Sequence, residues 1–268
     1  MHPIRDARHP IFAPLTYRIA GRVAQVGWDE MASDPSAASY AVRELQAALG
    51  QTVVVPHMRL GFEAEACGAD LARSADGVPT GIARLAAAPS DPASLARAQV
   101  IEHATDLTRR LCVELRGNAG VFGVLTGPRT LGAMFQDSTG LAALYANLAR
   151  GYCEAGVAAL AVIEEVPLDT EPAPAVLRPL ANVASFFRVP IILMDPYRME
   201  SAPEADWTLT RSDMISGDLL ARDPRATAWT PLATQKRPLV TTCREVDPTL
   251  PVESLSSWLG YVEALEFA

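Results

Sequence analysis

The feature that most constrains this chain is the alternation of short, β-rich apolar runs with longer stretches of helical character. Ile11–Leu15 is the first such run. Thr52–Pro56, Val121–Leu125, Ala158–Ile163 and Pro190–Met194 follow, and Trp207–Thr210, Ala226–Thr230 and Leu239–Thr242 complete the series with weaker signals. Thr52–Pro56 reads TVVVP, continuous rather than alternating, which is the pattern of a strand buried on both faces. Between the runs the sequence predicts helices over Pro35–Leu49, Pro92–Leu115, Gly140–Ala155, Pro174–Phe187 and Pro251–Leu265. Pro35 suits a first helical position and Gly50 a helix stop. Gly68–Ser90, broken by Gly77-Val78-Pro79 and Ala88-Pro89-Ser90, reads as a long loop or a short hairpin. Eight strand–helix units in 268 residues are the number and length of an α/β fold of one kind, a single (β/α)8 TIM barrel spanning residues 1–268 as one domain. A doubly wound sheet would give similar local signals.

Composition agrees with such a core. The hydrophobic fraction is 49% and the aromatic fraction only 6%, so Ala, Val, Leu and Ile must do the packing. The net charge of −8 offers no broad phosphate-neutralising surface, which argues against nucleic acid as a partner. Lys236 is the only lysine, so nearly all positive charge is arginine, a good local ligand for carboxylates and phosphates. Cys67, Cys112, Cys153 and Cys243 are widely spaced, without a CxxC pair. No apolar run reaches membrane-spanning length, and Met1–Pro10 is too polar for a signal peptide. The expectation is a cytoplasmic protein with reduced thiols and no membrane partner.

Three stretches carry a more specific signal. Asp34–Gly68 places a helix, a strand and a loop ending in Glu63-Ala64-Glu65-Ala66 before a glycine. Val121–Phe135, VFGVLTGPRTLGAMF, is a strand ending in Gly-Pro-x-Thr-Leu before a helix. Leu239–Leu255, LVTTCREVDPTLPVESL, is a last strand, a Pro-containing loop and the start of a terminal helix. In order and spacing these resemble the uroporphyrinogen decarboxylase superfamily, and Tyr152–Pro167 adds a weaker echo. The resemblance runs from about Pro10 onward and implies a TIM barrel. It implies one of two chemistries: cofactor-free decarboxylation of a porphyrinogen, or methyl transfer between a corrinoid and a thiol activated by zinc.

The sequence departs from both branches. The arginine-rich N-terminal motif of the decarboxylases is missing, and the second strand is followed by His57, Met58 and Arg59 without an aspartate. The Glu63–Ala66 segment is closer to the methyltransferases, whose zinc ligands are a His-x-Cys on the fifth strand and a cysteine after the last. Cys243 matches the last of these, but Met194 and Pro196 stand at the other two positions. Zinc in the family geometry is therefore not expected, since it needs three or four N, S or O ligands. A site rebuilt around His57 and Cys243 with a carboxylate is the metal alternative.

In a TIM barrel the chemistry sits at the C-terminal ends of the strands. Candidate catalytic residues are accordingly His57, Glu164, Asp195 and Cys243. His57 could act as acid–base or ligand, or be a hydrogen-bonded structural histidine. Glu164 and Glu165 should point apart, one toward the mouth and the other a surface or cap residue; Glu164 is the candidate for the mouth. Asp195 directly follows Ile191–Met194 before Pro196, where an Asx turn is the alternative. Cys243 could be a nucleophile, or a small buried residue left after loss of the zinc ligands. Candidate substrate-binding residues are Tyr17, Arg18, Arg59, Glu63, Glu65, Thr126, Gly127, Arg129, Tyr197 and Arg198. Gly127 with Pro128 suggests free helix amides that favour an anion, or else an ordinary tight turn. Arg211, Asp213, Arg244 and Glu245 also fall at strand ends. The leading expectation is methyl transfer involving a corrinoid and a small polar partner. A cofactor-free decarboxylase is the second and a noncatalytic binding or assembly subunit the third. A corrinoid protein and a second copy of the chain are the partners the resemblance implies.

Overall fold

The structure is a computed structural model of the chain, described here for residues 4, 7, 9–57, 60–73, 79–87, 91, 95, 98–137, 139–165, 177–198, 202–227 and 239–265. Ten strands are assigned in that set: β1 Ile11–Ala13, β2 Val53–Val54, β3 Asp70–Arg73, β4 Pro79–Arg84, β5 Gly120–Thr126, β6 Ala159–Ile163, β7 Ile191–Met194, β8 Trp207–Leu209, β9 Met214–Ile215 and β10 Leu239–Thr242. Strands β3 and β4 form a separate antiparallel hairpin in the stretch read as loop or hairpin. The others form two parallel arcs, β2-β5-β6-β7-β8 and β1-β10-β9.

These arcs are the staves of one barrel. Their inward side chains meet in a single apolar core that includes Ile11 and Ala13 of β1, Val53 of β2, Phe122 and Val124 of β5, Ala159, Ala161 and Ile163 of β6, Ile192 and Met194 of β7, Leu209 of β8, Met214 of β9 and Leu239 of β10. Every stave contributes, as a filled barrel interior requires. The fold is therefore the expected α/β barrel, although among the described residues the hydrogen-bonded ladder is open between β1 and β2 and between β8 and β9.

Outward side chains pack under the helices. Phe12, Val54, Val121, Ile215 and Val240 meet the helices Tyr17–Ala24, Pro35–Leu49 and Val252–Glu263. Leu125, Leu160, Val162, Ile191 and Leu193 meet Leu141–Ala155 and Leu177–Phe187, and Gln99–Glu114 serves both layers. The helix Pro35–Leu49 has the ends its sequence calls for. Asp34 caps it by accepting from the Ser36 amide at 2.8 Å, Pro35 occupies the first position, and Gly50 closes it at φ 69°.

One unit departs from the expectation. The seventh strand is not Ala226–Thr230. Ala226 ends a short 3-10 turn, Pro224–Ala226, and residues 228–230 lie outside the described set. The seventh stave is β9, reached from β8 through the 3-10 turn Arg211–Asp213 with no helix between them. A two-residue strand is too short to leave a periodic signal.

Candidate functional site

Strand parity decides which polar residues reach the barrel axis, because successive side chains leave a strand on opposite faces. In β6, Ala159, Ala161 and Ile163 face inward. Glu164 therefore turns out toward the helices and Glu165 turns in toward the mouth. In β7, Ile192 and Met194 face inward, so Asp195 also turns out. The polar residues at the strand ends separate into two groups on this basis.

The first group is a buried belt between barrel and helices. Glu164 accepts from the Arg129 amide at 3.0 Å, the Thr130 amide at 2.9 Å and the Thr130 hydroxyl at 2.8 Å. It thus caps the helix Pro128–Gly132. The anion suited to those free amides is this chain's own carboxylate. Gly127 is needed for the approach: a Cβ there would lie 2.6 Å from Glu164 Cγ and closer still to the carboxyl group. Asp195 is fully buried and receives both ends of the Arg129 guanidinium at 2.8 Å, plus the Tyr197 amide at 3.1 Å. Arg198 Nε stands 3.7 Å from it. Burial works against the Arg129 charge, but the Asp195 hydrogen bonds and Glu164 outweigh it and hold that guanidinium above its usual pKa.

Glu63 is a further buried carboxylate, bonded to Thr126, which lies two residues after the inward-facing Val124 of β5. Glu63 lies in the helix Phe62–Ala66, fully buried, and accepts from the Thr126 amide at 2.8 Å and the Thr126 hydroxyl at 2.6 Å. Burial pushes its carboxyl up from 4.5 to about 7 against those two hydrogen bonds. Thr126 also accepts from the Gly61 amide at 2.7 Å, and its carbonyl accepts from the Tyr145 hydroxyl. Glu65 diverges from Glu63, as the helical alternative requires, and pairs with Arg73 on the hairpin at 2.7 Å.

The second group lines the mouth. Arg18 donates to Glu245 through its amide at 2.7 Å and its Nε at 3.1 Å. Burial raises Glu245 to about 7, opposed by Arg18 and assisted by the charge of Glu165. Glu165 keeps solvent access, yet burial raises its carboxyl, with Arg244 opposing. Open surface together with dense surroundings is what a concave mouth gives a side chain. Cys243 is half-buried and packs against the barrel interior; burial raises its thiol while Arg211 and Arg244 oppose the shift. Both arginines are exposed.

Two other candidates sit away from the mouth. Tyr17 is a core residue whose hydroxyl donates to the Met31 carbonyl at 2.9 Å and whose ring meets Trp28 edge-on. His57 is buried on the helix side, edge-on to Phe62, with Nε2 3.5 Å from the Tyr152 hydroxyl. Tyr152 in turn lies against Gly123, where a Cβ would come within 2.8 Å of its own Cβ. Arg59 lies outside the described residues. Glu165, Arg211, Arg244 and Glu245 are the mouth residues that the candidate set omitted. Their signal was their place at strand ends.

The donor set does not fit the zinc of the methyltransferase branch. Met194 faces the interior, Asp195 is taken by Arg129, Glu164 by a helix end, and His57 is turned away. Among the described residues no three His, Cys, Asp or Glu side chains form a metal-holding group. At the opposite, N-terminal end of the barrel lies a cavity of about 1080 Å³ bordered by Ile11, Arg116, Gly120, Val121 and Ala158. Barrel enzymes do not place their chemistry there.

The sequence matches no protein-family model and no curated protein. Among solved structures, a methyltransferase from Methanosarcina mazei superposes with a TM-score of 0.67, covering 94% of this chain and 93% of that one at 12% sequence identity. The two share a fold over nearly their whole lengths. A dihydrodipicolinate synthase from Bacillus clausii aligns over 60% of this chain and 48% of that one, at 15% identity and a TM-score of 0.25. No helix among the described residues is long and apolar enough to cross a membrane.

Proposed function

We propose that this chain is an enzyme on the methyltransferase side of the uroporphyrinogen decarboxylase superfamily, moving a methyl group between a corrinoid and a small polar compound at the barrel mouth without the family's zinc. The observation that carries this reading is Cys243, at the family's last-strand cysteine position, half-buried against the barrel interior and within the field of Arg211 and Arg244. The shared fold with a methyltransferase supports it. A corrinoid would meet the mouth at its rim, where Leu60 keeps partial exposure; Leu15, Ile163 and Met194 beneath it are buried. A corrinoid bound there would supply the methyl carrier. Glu165 would take the proton released by a protic acceptor, a task suited to a carboxyl whose pKa burial raises. Incubation of the purified chain with methylcobalamin and protic acceptors tests the reading. Methyl transfer that is lost in Glu165→Gln is the expected result, and absence of both transfer and corrinoid binding would overturn it.

A second reading, cofactor-free decarboxylation of a small acid, is favoured by one observation. Glu245, raised to about 7, could hold a proton for a carbanion while arginine holds the acid. Release of carbon dioxide from a bound acid, without added corrinoid, would select it.

A further inference from the structure

Two arginines of the mouth, Arg211 and Arg244, make no ion pair among the described residues, while the backbone that carries them is held in place. Arg211 opens the 3-10 turn between β8 and β9. That turn is fixed by Thr210 and Asp213, whose carboxylate accepts from the Thr210 amide at 2.9 Å and hydroxyl at 3.0 Å. Asp213 thus spends its carboxylate inside the turn. Arg244 follows β10. The Cys243 amide donates to Ile215 at 3.1 Å, and the Thr242 hydroxyl donates to the Arg244 carbonyl at 2.7 Å while accepting from the Leu15 amide at 3.1 Å. The backbone at Arg211 is thus fixed within its own turn, and that beneath Arg244 is anchored to neighbouring staves. Glu245, next in sequence, is taken by Arg18. Among the described residues neither Arg211 nor Arg244 lies within ion-pair distance of a carboxylate, whereas Arg129 below them has two. Arg18, Arg211 and Arg244 stand against Glu165, Glu245 and Asp213, so the named charges balance, and the two arginines without an ion pair are the donors left for an anion.

We infer that Arg211 and Arg244 together hold the carboxylate of a small organic acid, placing the rest of that molecule between Cys243 and Glu165. This rests on the mouth being the reaction site, as proposed above, and names its substrate class. Arginine suits the role because its planar fork offers a carboxylate two parallel donors. Two such forks approaching from different staves would fix the orientation of the acid as well as its charge. Glu165 would then face the uncharged end of the bound molecule, since its own charge repels the carboxylate.

The test uses the whole chain and two probes of the same shape, propionate and propionamide, titrated at constant ionic strength and followed by protein NMR shifts around Cys243. Propionate should bind at least about tenfold more tightly, the value of one charge-assisted contact. That preference should vanish in Arg211→Gln and Arg244→Gln and persist in Arg150→Gln, which alters an exposed arginine on an outer helix. Equal affinity for the two probes, or a preference that survives both mouth substitutions, would overturn the inference. The readout needs no methyl transfer. A chain that binds propionate through these arginines yet transfers no methyl group would break only the proposed reaction, and the reverse result would break only this inference.

Discussion

The buried belt and the open mouth are made of the same residue types at the same end of the barrel, yet they differ in what those residues are free to do. In the belt, Glu164 has three donors from the helix start and Asp195 has a bidentate guanidinium plus an amide. In the mouth, Glu165, Arg211 and Arg244 make no ion pair among the described residues. The difference follows from strand parity, not from residue chemistry. Glu164 and Glu165 are neighbours in sequence and fall on opposite sides of the barrel wall. Belt residues lock the wall to its helices, and mouth residues retain the capacity to meet a ligand.

The comparison breaks most severely at Arg129. Arg129→Met leaves Asp195 buried with its main counter-charge gone, and such a loss typically costs about 3–5 kcal/mol. Urea denaturation should show it. The double variant Arg129→Met with Asp195→Leu should recover much of that loss, because the orphaned charge is removed with its partner. A single variant within about 1 kcal/mol of the parent would mean that the belt does not hold the wall.

Glu63 makes the stability of the fold sensitive to pH. Its carboxyl is raised from 4.5 to about 7 by burial. Between those values the folded chain keeps a proton that the unfolded chain has lost, so this group's contribution to stability is full below about 4.5 and falls as pH rises through 7. The whole change is on the order of 3 kcal/mol. Glu63→Gln should flatten the fall of Tm across that range. An unchanged slope would place the titration elsewhere.

Gly127 tests the belt sterically. Gly127→Ala pushes a methyl group into the Glu164 carboxylate, which must leave the helix amides or force them away. A loss of about 1–3 kcal/mol is expected, the usual cost of overfilling a packed site. Gly260→Ala, inside the helix Val252–Glu263 where an added Cβ meets nothing within 4 Å, serves as the control and should not lose stability. A Gly127→Ala variant as stable as the parent would show that the Glu164 cap does not depend on that close approach.

The sequence makes the barrel legible and leaves the split between belt and mouth obscure, for one physical reason. Strands buried on both faces are apolar throughout, so Ala159–Ile163 and Ile191–Met194 identify themselves as barrel strands while concealing which residues face the axis. That is why Glu164 and Asp195 read as mouth candidates. Without the parity of those strands, nothing distinguishes Glu164 from Glu165. Gly127 and Pro128 did signal an anion at a helix start, but whether it is a substrate or a side chain of the same chain depends on a contact 35 residues away in sequence. His57 follows the same logic. Its position after TVVVP is correct for a strand end, and its orientation is set by Phe62 and Tyr152, which local pattern cannot supply. The residues of β9 were hidden differently, since a strand of two residues entered from a 3-10 turn has no period to detect.

The smallest expected effect on stability is the sharpest test of the division. Glu165→Gln, Arg211→Gln and Arg244→Gln each alter an exposed side chain with no ion pair among the described residues, so each should change unfolding free energy by less than about 0.5 kcal/mol. Removing charge from the mouth could even stabilise the chain slightly by relieving repulsion between Arg211 and Arg244 in the absence of ligand. Function should move the other way, with Glu165→Gln abolishing transfer and either arginine variant losing the preference for a carboxylate. A belt substitution lowers stability first and affects activity only through it, whereas a mouth substitution separates the two measurements. If Arg244→Gln unfolded as readily as Arg129→Met, the mouth would be another structural layer and the reaction site would have to be sought elsewhere on the barrel.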